Sequence, residues 1–150
     1  MYQAFYGLRE RPFALLPDPS FLFLSNGHST ALTLLRYSIM SRQGFTVISG
    51  EVGGGKTTLI NRLLDEMKTG VTVGLINFTT PSSGDMGEWI MMAYGLPYKG
   101  KGKVELYDDF VQFMIREYAA GRPVVLIVDE AQNLGVRGLE EIRMLSNVNA

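Results

Sequence analysis

A glycine-rich loop between an apolar run and an amphipathic run is the feature that most constrains the fold of this chain. It matches the pattern G-x-x-x-x-G-K-[ST], in which glycines let the backbone wrap a phosphate and point successive N–H groups inward. The helix predicted after the loop adds the favourable field of its N-terminal dipole. We therefore predict that the loop binds the phosphates of a nucleotide, through Gly50, Glu51, Val52, Gly53, Gly54, Gly55, Lys56, Thr57 and Thr58.

Two residues at the end of this loop carry the chemistry that the pattern predicts. The Lys56 ammonium is expected to reach the β- and γ-phosphates and to take part in catalysis, and the Thr57 hydroxyl is expected to ligate Mg²⁺. The alternative is a glycine-rich turn that matches the pattern by accident. Even with 17 glycines in the chain, chance supplies only about 0.01 matches, and the flanking apolar strand and amphipathic helix are the context that the motif requires.

A second candidate part of the site follows a short apolar run. Residues 124–128 are all valine, leucine or isoleucine, and Asp129 and Glu130 come directly after them. Asp129 is predicted to hold Mg²⁺ through water, and Glu130 to act as the general base on an attacking water. Alone, such a run is more often a plain strand end, but the phosphate-binding pattern upstream strengthens the interpretation. Consecutive Asp and Glu residues favour hydrolysis over tight binding without turnover.

The spacing of apolar residues predicts alternating strands and helices, which is typical of a parallel α/β sheet. Strands are predicted at residues 45–49, 71–78 and 124–128. Helices are predicted at residues 26–41, 57–69, 85–96, 104–120 and 136–147. Ser25 is the expected N-cap of the first helix and Gly70 the expected C-cap of the second. The run at residues 124–128 is expected in mid-sheet, covered on both faces.

The composition excludes several kinds of site. The chain has no cysteine, which excludes disulfides, thiolate zinc sites and cysteine nucleophiles, and its single histidine, His28, disfavours a Ser-His-Asp enzyme. A net charge of −1 argues against a strongly basic nucleic-acid-binding surface. No apolar run approaches the roughly 20 residues that span a bilayer. We therefore expect a cytoplasmic protein.

Five polar residues are weaker candidates for the site. Gln132 and Asn133 follow the two acids and either contact a phosphate, sensing its loss, or cap a helix. Arg137 and Arg143 lie on the last predicted helix, where a solvated face is favoured over contact with the nucleotide of a neighbouring subunit. His28, near the start of a helix, is interpreted as a capping or packing residue rather than a catalyst.

The chain is predicted to divide into an N-terminal segment, residues 1–27, and an α/β core, residues 28–150. The segment is rich in aromatic residues and prolines, with a turn signal at residues 17–20. Its rings are expected either to wall an adenine base or to pack on the core. We favour packing on the core.

Three stretches of the sequence together resemble one family. They are Met1-Tyr2 with Phe5-Tyr6-Gly7-Leu8, Pro12-Phe13, Pro17-Asp18-Pro19, Phe21-Leu22, Ser25 and His28; Ser49-Gly50-Glu51-Val52-Gly53; and Val128-Asp129-Glu130-Ala131-Gln132-Asn133-Leu134. They resemble the ExeA/GspA-type AAA+ ATPases, which include the general secretion pathway protein A group and the ATPases of exosortase and polysaccharide-export systems. The family's usual loop has a threonine in place of Gly54, a departure expected to loosen the loop slightly without removing a phosphate contact.

The resemblance implies an α/β fold of the P-loop NTPase type, in the AAA+ additional-strand class. This fold has a parallel sheet with helices on both faces and the strand order 5-1-4-3-2. The resemblance also gives Lys56, Thr57, Asp129 and Glu130 the roles stated above.

The same resemblance implies that the chain is a C-terminally truncated part of a longer ATPase. The fourth strand, expected between residues 45–49 and residues 124–128, would follow Ala150. The fifth strand, the arginine finger and any helical lid would follow it too, so that the core at residues 28–150 is incomplete.

The leading hypothesis for function is an ATPase that binds ATP and Mg²⁺, hydrolyses ATP and serves envelope export. The resemblance implies a homo-oligomer at the cytoplasmic face of the inner membrane, with an export partner there. One alternative is a DNA-linked ATPase of the transposition or helicase-loader type, which the near-neutral charge weakly disfavours. The other alternative is a nucleotide-gated binding switch with little turnover.

Overall fold

A computed structural model of the chain describes residues 2–9, 23–42, 44–67, 69–77 and 85–147. The described residues form α-helices, two strands and a 3₁₀ turn. In chain order these are α1 (Tyr2–Tyr6), α2 (Asn26–Met40), α3 (Lys56–Glu66), β1 (Thr72–Asn77), α4 (Met86–Ala93), α5 (Lys103–Ala119), β2 (Val124–Asp129), the 3₁₀ turn (Ala131–Leu134) and α6 (Gly135–Ser146). The order of elements from α3 onward is the one that the sequence predicts.

Strands β1 and β2 form a parallel sheet, which confirms the predicted fold class. Their register pairs Thr72 with Val124 and Asn77 with Asp129. Parallel neighbours need a crossover connection, and α4 and α5 supply it. The carboxyl ends of both strands therefore lie at one edge of the sheet, where α/β folds bind their ligands.

The main hydrophobic core lies between the sheet and helices α4, α5 and α6. Its buried residues are Ile76, Met86, Ile90, Met91, Leu106, Phe110, Phe113 and Leu134. Trp89, the single tryptophan of the chain, packs against this cluster. Ile90 and Met91 are each only 1 % exposed, and burying a side chain of that size stabilises a fold by about 1.5–3 kcal/mol.

Gly74 in β1 lets an aromatic ring lie directly on the sheet. A Cβ at this position would come within 2.8 Å of the Tyr94 ring, closer than any side chain tolerates. The same ring lies 5.0 Å from the ring of Phe113, measured between centroids. Burial raises the pKa of the Tyr94 hydroxyl, and a hydrogen bond with the Gly74 backbone opposes that shift. The glycine in this strand is therefore required by packing.

A second, smaller cluster joins α2 to α3. Leu32 of α2 and Leu59 and Leu63 of α3 are each 2 % exposed, and Ile48 packs against them. The cluster holds α2 beside α3, immediately after the glycine-rich loop. Ser25 caps α2 as predicted, because its side chain accepts a hydrogen bond from the His28 backbone N–H.

A buried carboxylate joins the end of α5 to the start of β1. Glu117 accepts two hydrogen bonds of 2.7 Å from Arg122, one at each carboxylate oxygen, and another from the Thr72 hydroxyl. The bonds from Arg122 and Thr72 lower the pKa of Glu117 to about 2. This ion pair fixes the turn that leads into β2.

The strand predicted at residues 45–49 is wrong as a sheet element. These residues form no ladder with a described strand, and Phe45 and Val47 are 53 % and 86 % exposed. Backbone groups of a strand need a neighbouring strand, and the described strands, β1 and β2, pair only with each other. The resemblance places a fourth strand between residues 45–49 and β2, and no described residue lies there. Apolar patterning alone could not supply that partner.

Several predicted boundaries also differ from the structure. α3 ends at Glu66 with Met67 as its C-cap, rather than at residue 69 with Gly70, and α4 ends at Ala93 rather than at residue 96. The strand β2 is half-buried along residues 124–128, not covered on both faces as predicted. Among the described residues, β2 pairs with one strand, β1.

Part of the N-terminal prediction lies outside the described residues. Residues 10–22 include most of the proline-punctuated segment, so the packing of residues 1–27 on the core stays a prediction. The predicted end of a strand at Phe78 falls outside as well. Within the described part of the chain, no helix is long and apolar enough to cross a membrane.

Candidate nucleotide-binding site

The glycine-rich loop forms a tight turn just before α3. Gly53 and Gly55 have φ angles of +77° and +78°, in the left-handed region that glycine adopts without strain. The Gly54 N–H donates to the Glu51 carbonyl oxygen at 3.1 Å, and a Cβ on Gly54 would lie 3.0 Å from that oxygen. The missing side chain at Gly54 therefore lets the turn close, while the expected loosening of the loop stays a prediction.

Helix α3 begins at Lys56, directly after the loop, with Gly55 as its N-cap. No side chain caps its first turn, and no acidic residue lies in that turn. The first N–H groups of a helix lack acceptors within the helix, and together with the helix dipole they favour an anion. The loop and the helix start thus offer backbone donors of the kind that a phosphate needs.

The Lys56 side chain folds back over the loop that precedes it. Its Nζ donates to the carbonyl oxygens of Gly50 at 2.9 Å and Glu51 at 2.8 Å. These bonds use two of the three donors of an ammonium group. The positive charge therefore lies against the residues that the sequence predicts to contact phosphate.

Thr57 and Asp129, 72 residues apart in the chain, are brought together by the fold. The Thr57 hydroxyl donates to Asp129 Oδ2 at 2.9 Å, and the other carboxylate oxygen accepts from the Glu130 N–H at 3.0 Å. Asp129 ends β2 and is buried, at 9 % exposure. Its carboxylate is therefore held in place on both sides, at the edge of the sheet nearest the loop.

The donor set at this point fits a magnesium ion. Mg²⁺ prefers oxygen ligands and is commonly held by one or two carboxylates together with substrate phosphates and water. Thr57 supplies a hydroxyl oxygen and Asp129 a carboxylate, as the sequence predicts. Their roles as ligands stay predictions, although the geometry places both oxygens in one site.

Glu130 adopts a backbone conformation that is unusual for a residue with a side chain. Its φ and ψ are 57° and 39°, in the left-handed region. Strain of this kind costs about 1–3 kcal/mol and is concentrated at functional sites. The side chain is exposed, and its carboxylate accepts a hydrogen bond from the Gln132 amide. Gln132 therefore contacts the predicted base rather than only capping a helix.

Comparison with known proteins identifies the family. A family model described as an AAA domain matches residues 39–150, which include the loop, both strands and the two acids. The chain belongs to the AAA domain family. Its parallel sheet with flanking helices is that of a P-loop NTPase, which confirms the fold class predicted from the sequence.

A curated relative supports the more specific resemblance. The chain is 37 % identical over 149 residues to the general secretion pathway protein A of Aeromonas hydrophila. The match covers 99 % of this chain but 27 % of the relative, so the chain spans about a quarter of that protein's length. No solved structure matches the chain.

The His28 side chain contacts the glycine-rich loop, which the sequence did not predict. Its ring Nδ1 lies 2.7 Å from Ser25 Oγ, and its Nε2 lies 2.9 Å from the Gly54 carbonyl oxygen. The sequence predicts a capping or packing role for His28, but it does not indicate that the partner of the side chain is the glycine-rich loop. Local pattern could not reveal this partner, because Gly54 is 26 residues away in the chain.

Two of the remaining weak candidates, Arg137 and Arg143, lie on the surface of α6, and the third, Asn133, lies in the 3₁₀ turn before it. Arg143 forms an ion pair of 2.6 Å with Glu140, three residues earlier on the same helix. Arg137 is exposed. These positions agree with the solvated helix face that was favoured for both. The Asn133 N–H donates to the Glu130 carbonyl at 2.9 Å and closes the 3₁₀ turn.

Proposed function

We propose that the AAA domain binds ATP with Mg²⁺ and hydrolyses it to ADP and phosphate. The observation that carries the proposal is the 2.9 Å hydrogen bond between the Thr57 hydroxyl and Asp129. It joins the end of the phosphate loop to the acidic end of β2. In P-loop ATPases a hydroxyl at the loop and an acid at a strand end together hold the metal of the bound nucleotide.

Nucleotide binding rests on the loop and on Lys56. The backbone N–H groups of residues 52–58 are proposed to hold the phosphates, and the Lys56 ammonium to move from the Gly50 and Glu51 carbonyls to the β- and γ-phosphates. Mg²⁺, when bound at Thr57 and Asp129, supplies positive charge that offsets the charge developing on the phosphates.

Hydrolysis is assigned to Glu130. Glu130 follows Asp129 directly in the chain and its side chain is exposed, which supports a role next to the proposed metal site. We assign it to take a proton from the attacking water while the water oxygen bonds to the γ-phosphorus and the bond to the ADP oxygen breaks. The proton then passes to solvent, which returns Glu130 to its charged form.

Two substitutions separate binding from hydrolysis. Lys56→Ala is expected to abolish ATP binding in titration calorimetry, because it removes the charge that faces the phosphates. Glu130→Gln is expected to bind ATP as the wild type does and to lose phosphate release. Lys99→Ala and Glu88→Gln, at exposed positions on the connection between α4 and α5 and on α4, are the matched controls. Wild-type turnover in Glu130→Gln would overturn the assignment of the base.

Envelope export is the proposed context of this activity. The similarity to a protein named general secretion pathway protein A supports it. In a longer protein of that kind, we propose a homo-oligomer at the cytoplasmic face of the inner membrane, with an export partner there. DNA-stimulated ATP hydrolysis with a steep salt dependence would favour a DNA-linked ATPase instead.

One observation favours the second alternative, a nucleotide-gated switch with little turnover. The Gln132 amide donates to the carboxylate of Glu130, so an oxygen of the proposed base already has a hydrogen-bond partner. If this contact restrains hydrolysis, Gln132→Ala raises the single-turnover rate a few-fold, whereas Gln112→Ala, exposed on α5, leaves it unchanged. A lower rate in Gln132→Ala would instead show that the amide assists the base.

A further inference from the structure

The His28 ring bridges the start of α2 and the glycine-rich loop. Ser25 Oγ accepts from the His28 backbone N–H at 3.3 Å and lies 2.7 Å from the ring Nδ1. On the opposite side of the ring, Nε2 lies 2.9 Å from the Gly54 carbonyl oxygen. The same nitrogen would be 3.1 Å from a Cβ placed on Gly55. The ring is therefore packed directly against the last two glycines before α3.

The hydrogen-bond partners define the tautomer of this ring. A carbonyl oxygen can only accept, so Nε2 must carry the hydrogen that it donates to Gly54. In the neutral ring Nδ1 is then an acceptor, and the Ser25 hydroxyl can donate to it while its oxygen accepts from the backbone. All three groups are satisfied in one arrangement.

The contact with Gly54 also orients the next peptide N–H. The Gly54 carbonyl and the Gly55 N–H belong to one planar peptide, and no described peptide is cis. Their bonds point in opposite directions, so holding the oxygen against His28 turns the Gly55 N–H to the other side of the loop. Three consecutive glycines have little conformational preference of their own, and an external contact is needed to fix this peptide.

Helix α2, which carries His28, is itself packed against α3. His28 and Leu32 are four residues apart and lie on the same face of α2. Leu32 is buried against Leu59 and Leu63 of α3. The histidine therefore reaches the loop from a helix that is already packed against the helix that the loop begins.

We propose that His28 is a positioning residue of the phosphate loop, which holds the Gly54–Gly55 peptide so that its N–H faces bound phosphate. This rests on the proposed nucleotide binding, and it assigns to His28 no contact with the nucleotide. The ring acts only through the loop. It therefore affects the binding of any polyphosphate, with or without an adenine base.

Two conservative variants distinguish the contact of the ring with Gly54 from its contact with Ser25. A glutamine amide nitrogen lies as many bonds from Cα as His Nε2, so His28→Gln can still donate to the Gly54 carbonyl. An asparagine amide nitrogen corresponds to Nδ1, so His28→Asn keeps a polar group near Ser25 and loses the loop contact. His28→Ala removes both.

Binding of ATP and of inorganic tripolyphosphate to the 150-residue chain is measured by calorimetry for each variant. We expect His28→Asn and His28→Ala to bind both ligands about 3- to 10-fold more weakly, the effect of one lost hydrogen bond. We expect His28→Gln to stay within about 3-fold of the wild type. A loss confined to ATP would overturn the proposal, because it would mean that the ring contacts the nucleoside. Equal losses in the Gln and Asn variants would overturn it too.

A measurement without ligand tests the loop contact separately. The chain has one histidine, so ¹⁵N NMR of its ring gives a single pair of signals, expected to show the Nε2–H tautomer. Amide exchange at residues 53–56 is expected to be faster in His28→Asn than in the wild type or His28→Gln. The other tautomer, or unchanged exchange, would overturn the proposal. If the wild type binds neither ligand while these results hold, the proposed nucleotide binding fails and the loop contact stands.

Discussion

The sheet region, by which we mean β1, β2, the 3₁₀ turn and helices α4, α5 and α6, has a core of eight buried hydrophobic residues. Three buried leucines form the core of the loop region, by which we mean α2, residues 44–55 and α3. The loop region also exposes Phe45 and Val47, whereas the sheet region buries Ile90 and Met91 almost completely. The first region is therefore held by extensive packing and the second by a small contact between two helices.

The candidate site is assembled across the boundary between these regions. Asp129 ends a strand of the sheet region, while Lys56 and Thr57 belong to the loop region. Regions with few buried apolar contacts open at lower free energy than a packed core. We infer that the acid is the fixed part of the site and the phosphate loop its adaptable part. The bond between Thr57 and Asp129 joins the two.

The largest expected effect comes from deleting core side chains in each region. Ile90→Ala is expected to lower the free energy of unfolding by about 2–5 kcal/mol, because it leaves a cavity among closely packed neighbours. Leu63→Ala is expected to cost less, since its small cluster can collapse around the change. Urea unfolding followed by circular dichroism measures both values.

Amide exchange shows where each substitution acts. Leu63→Ala is expected to speed exchange in the loop region and leave β1 and β2 protected. The two regions would unfold as one unit if both variants lost the same unfolding free energy and if Leu63→Ala also sped amide exchange in β1 and β2.

A smaller effect is expected from the ion pair between Glu117 and Arg122, next to the turn that leads into β2. Glu117→Gln is expected to destabilise the fold by about 1–2 kcal/mol at neutral pH, a value limited by the partial exposure of Arg122. Folding lowers the pKa of Glu117 from 4.5 to about 2. Its charged form therefore stabilises the fold above about pH 4.5, and this contribution is lost as the pH falls towards 2.

The pH dependence of unfolding tests this ion pair directly. The difference in unfolding free energy between wild type and Glu117→Gln is expected to shrink between pH 4.5 and pH 2. The control is Glu140→Gln, which breaks an Arg143 ion pair on the exposed surface of α6 and is expected to change little at any pH. A difference independent of pH would mean that shape, rather than charge, makes Glu117 important.

The smallest expected effect concerns the strained backbone at the boundary. Glu130→Gly and Glu130→Ala both remove the proposed base, and both are expected to lose ATP turnover. The glycine variant is expected to be more stable than the alanine variant by about 1 kcal/mol, because glycine adopts a φ of 57° without strain. Equal thermal stabilities would show that the surroundings of residue 130 relax when the side chain is lost.

Local chemistry explains why the sequence could indicate Thr57 and Asp129, which the fold brings together, whereas the roles of the site residues in binding and hydrolysis stay predictions. The residues from Gly50 to Thr57 are neighbours in the chain that lead directly into α3, and Asp129 and Glu130 lie at the end of a strand that its own apolar residues define. The cap at Ser25 is likewise a contact between neighbours in the chain. The parallel pairing of β1 with β2 followed from the helices between them.

Contacts between distant segments were not predictable in the same way. Residues 45–49 have the composition of a strand, yet a strand exists only where another strand supplies its hydrogen bonds. His28 carries a helix-start signal, and nothing in its neighbourhood shows that its ring also meets Gly54. The early end of α3 at Glu66 likewise coincides with ion pairs from Arg36 and Arg62, of which Arg36 lies on another helix.

The packing of Trp89 makes the two regions separately observable. This single indole lies against the main cluster, and the single imidazole, His28, lies against the loop. Tryptophan fluorescence therefore monitors the sheet region, and the histidine NMR signals monitor the loop region. A denaturation experiment that records both signals follows each region with its own natural probe, and neither region needs an added label. If the histidine signals change at a lower denaturant concentration than the fluorescence, the chain has an intermediate in which the sheet is intact and the phosphate loop is released.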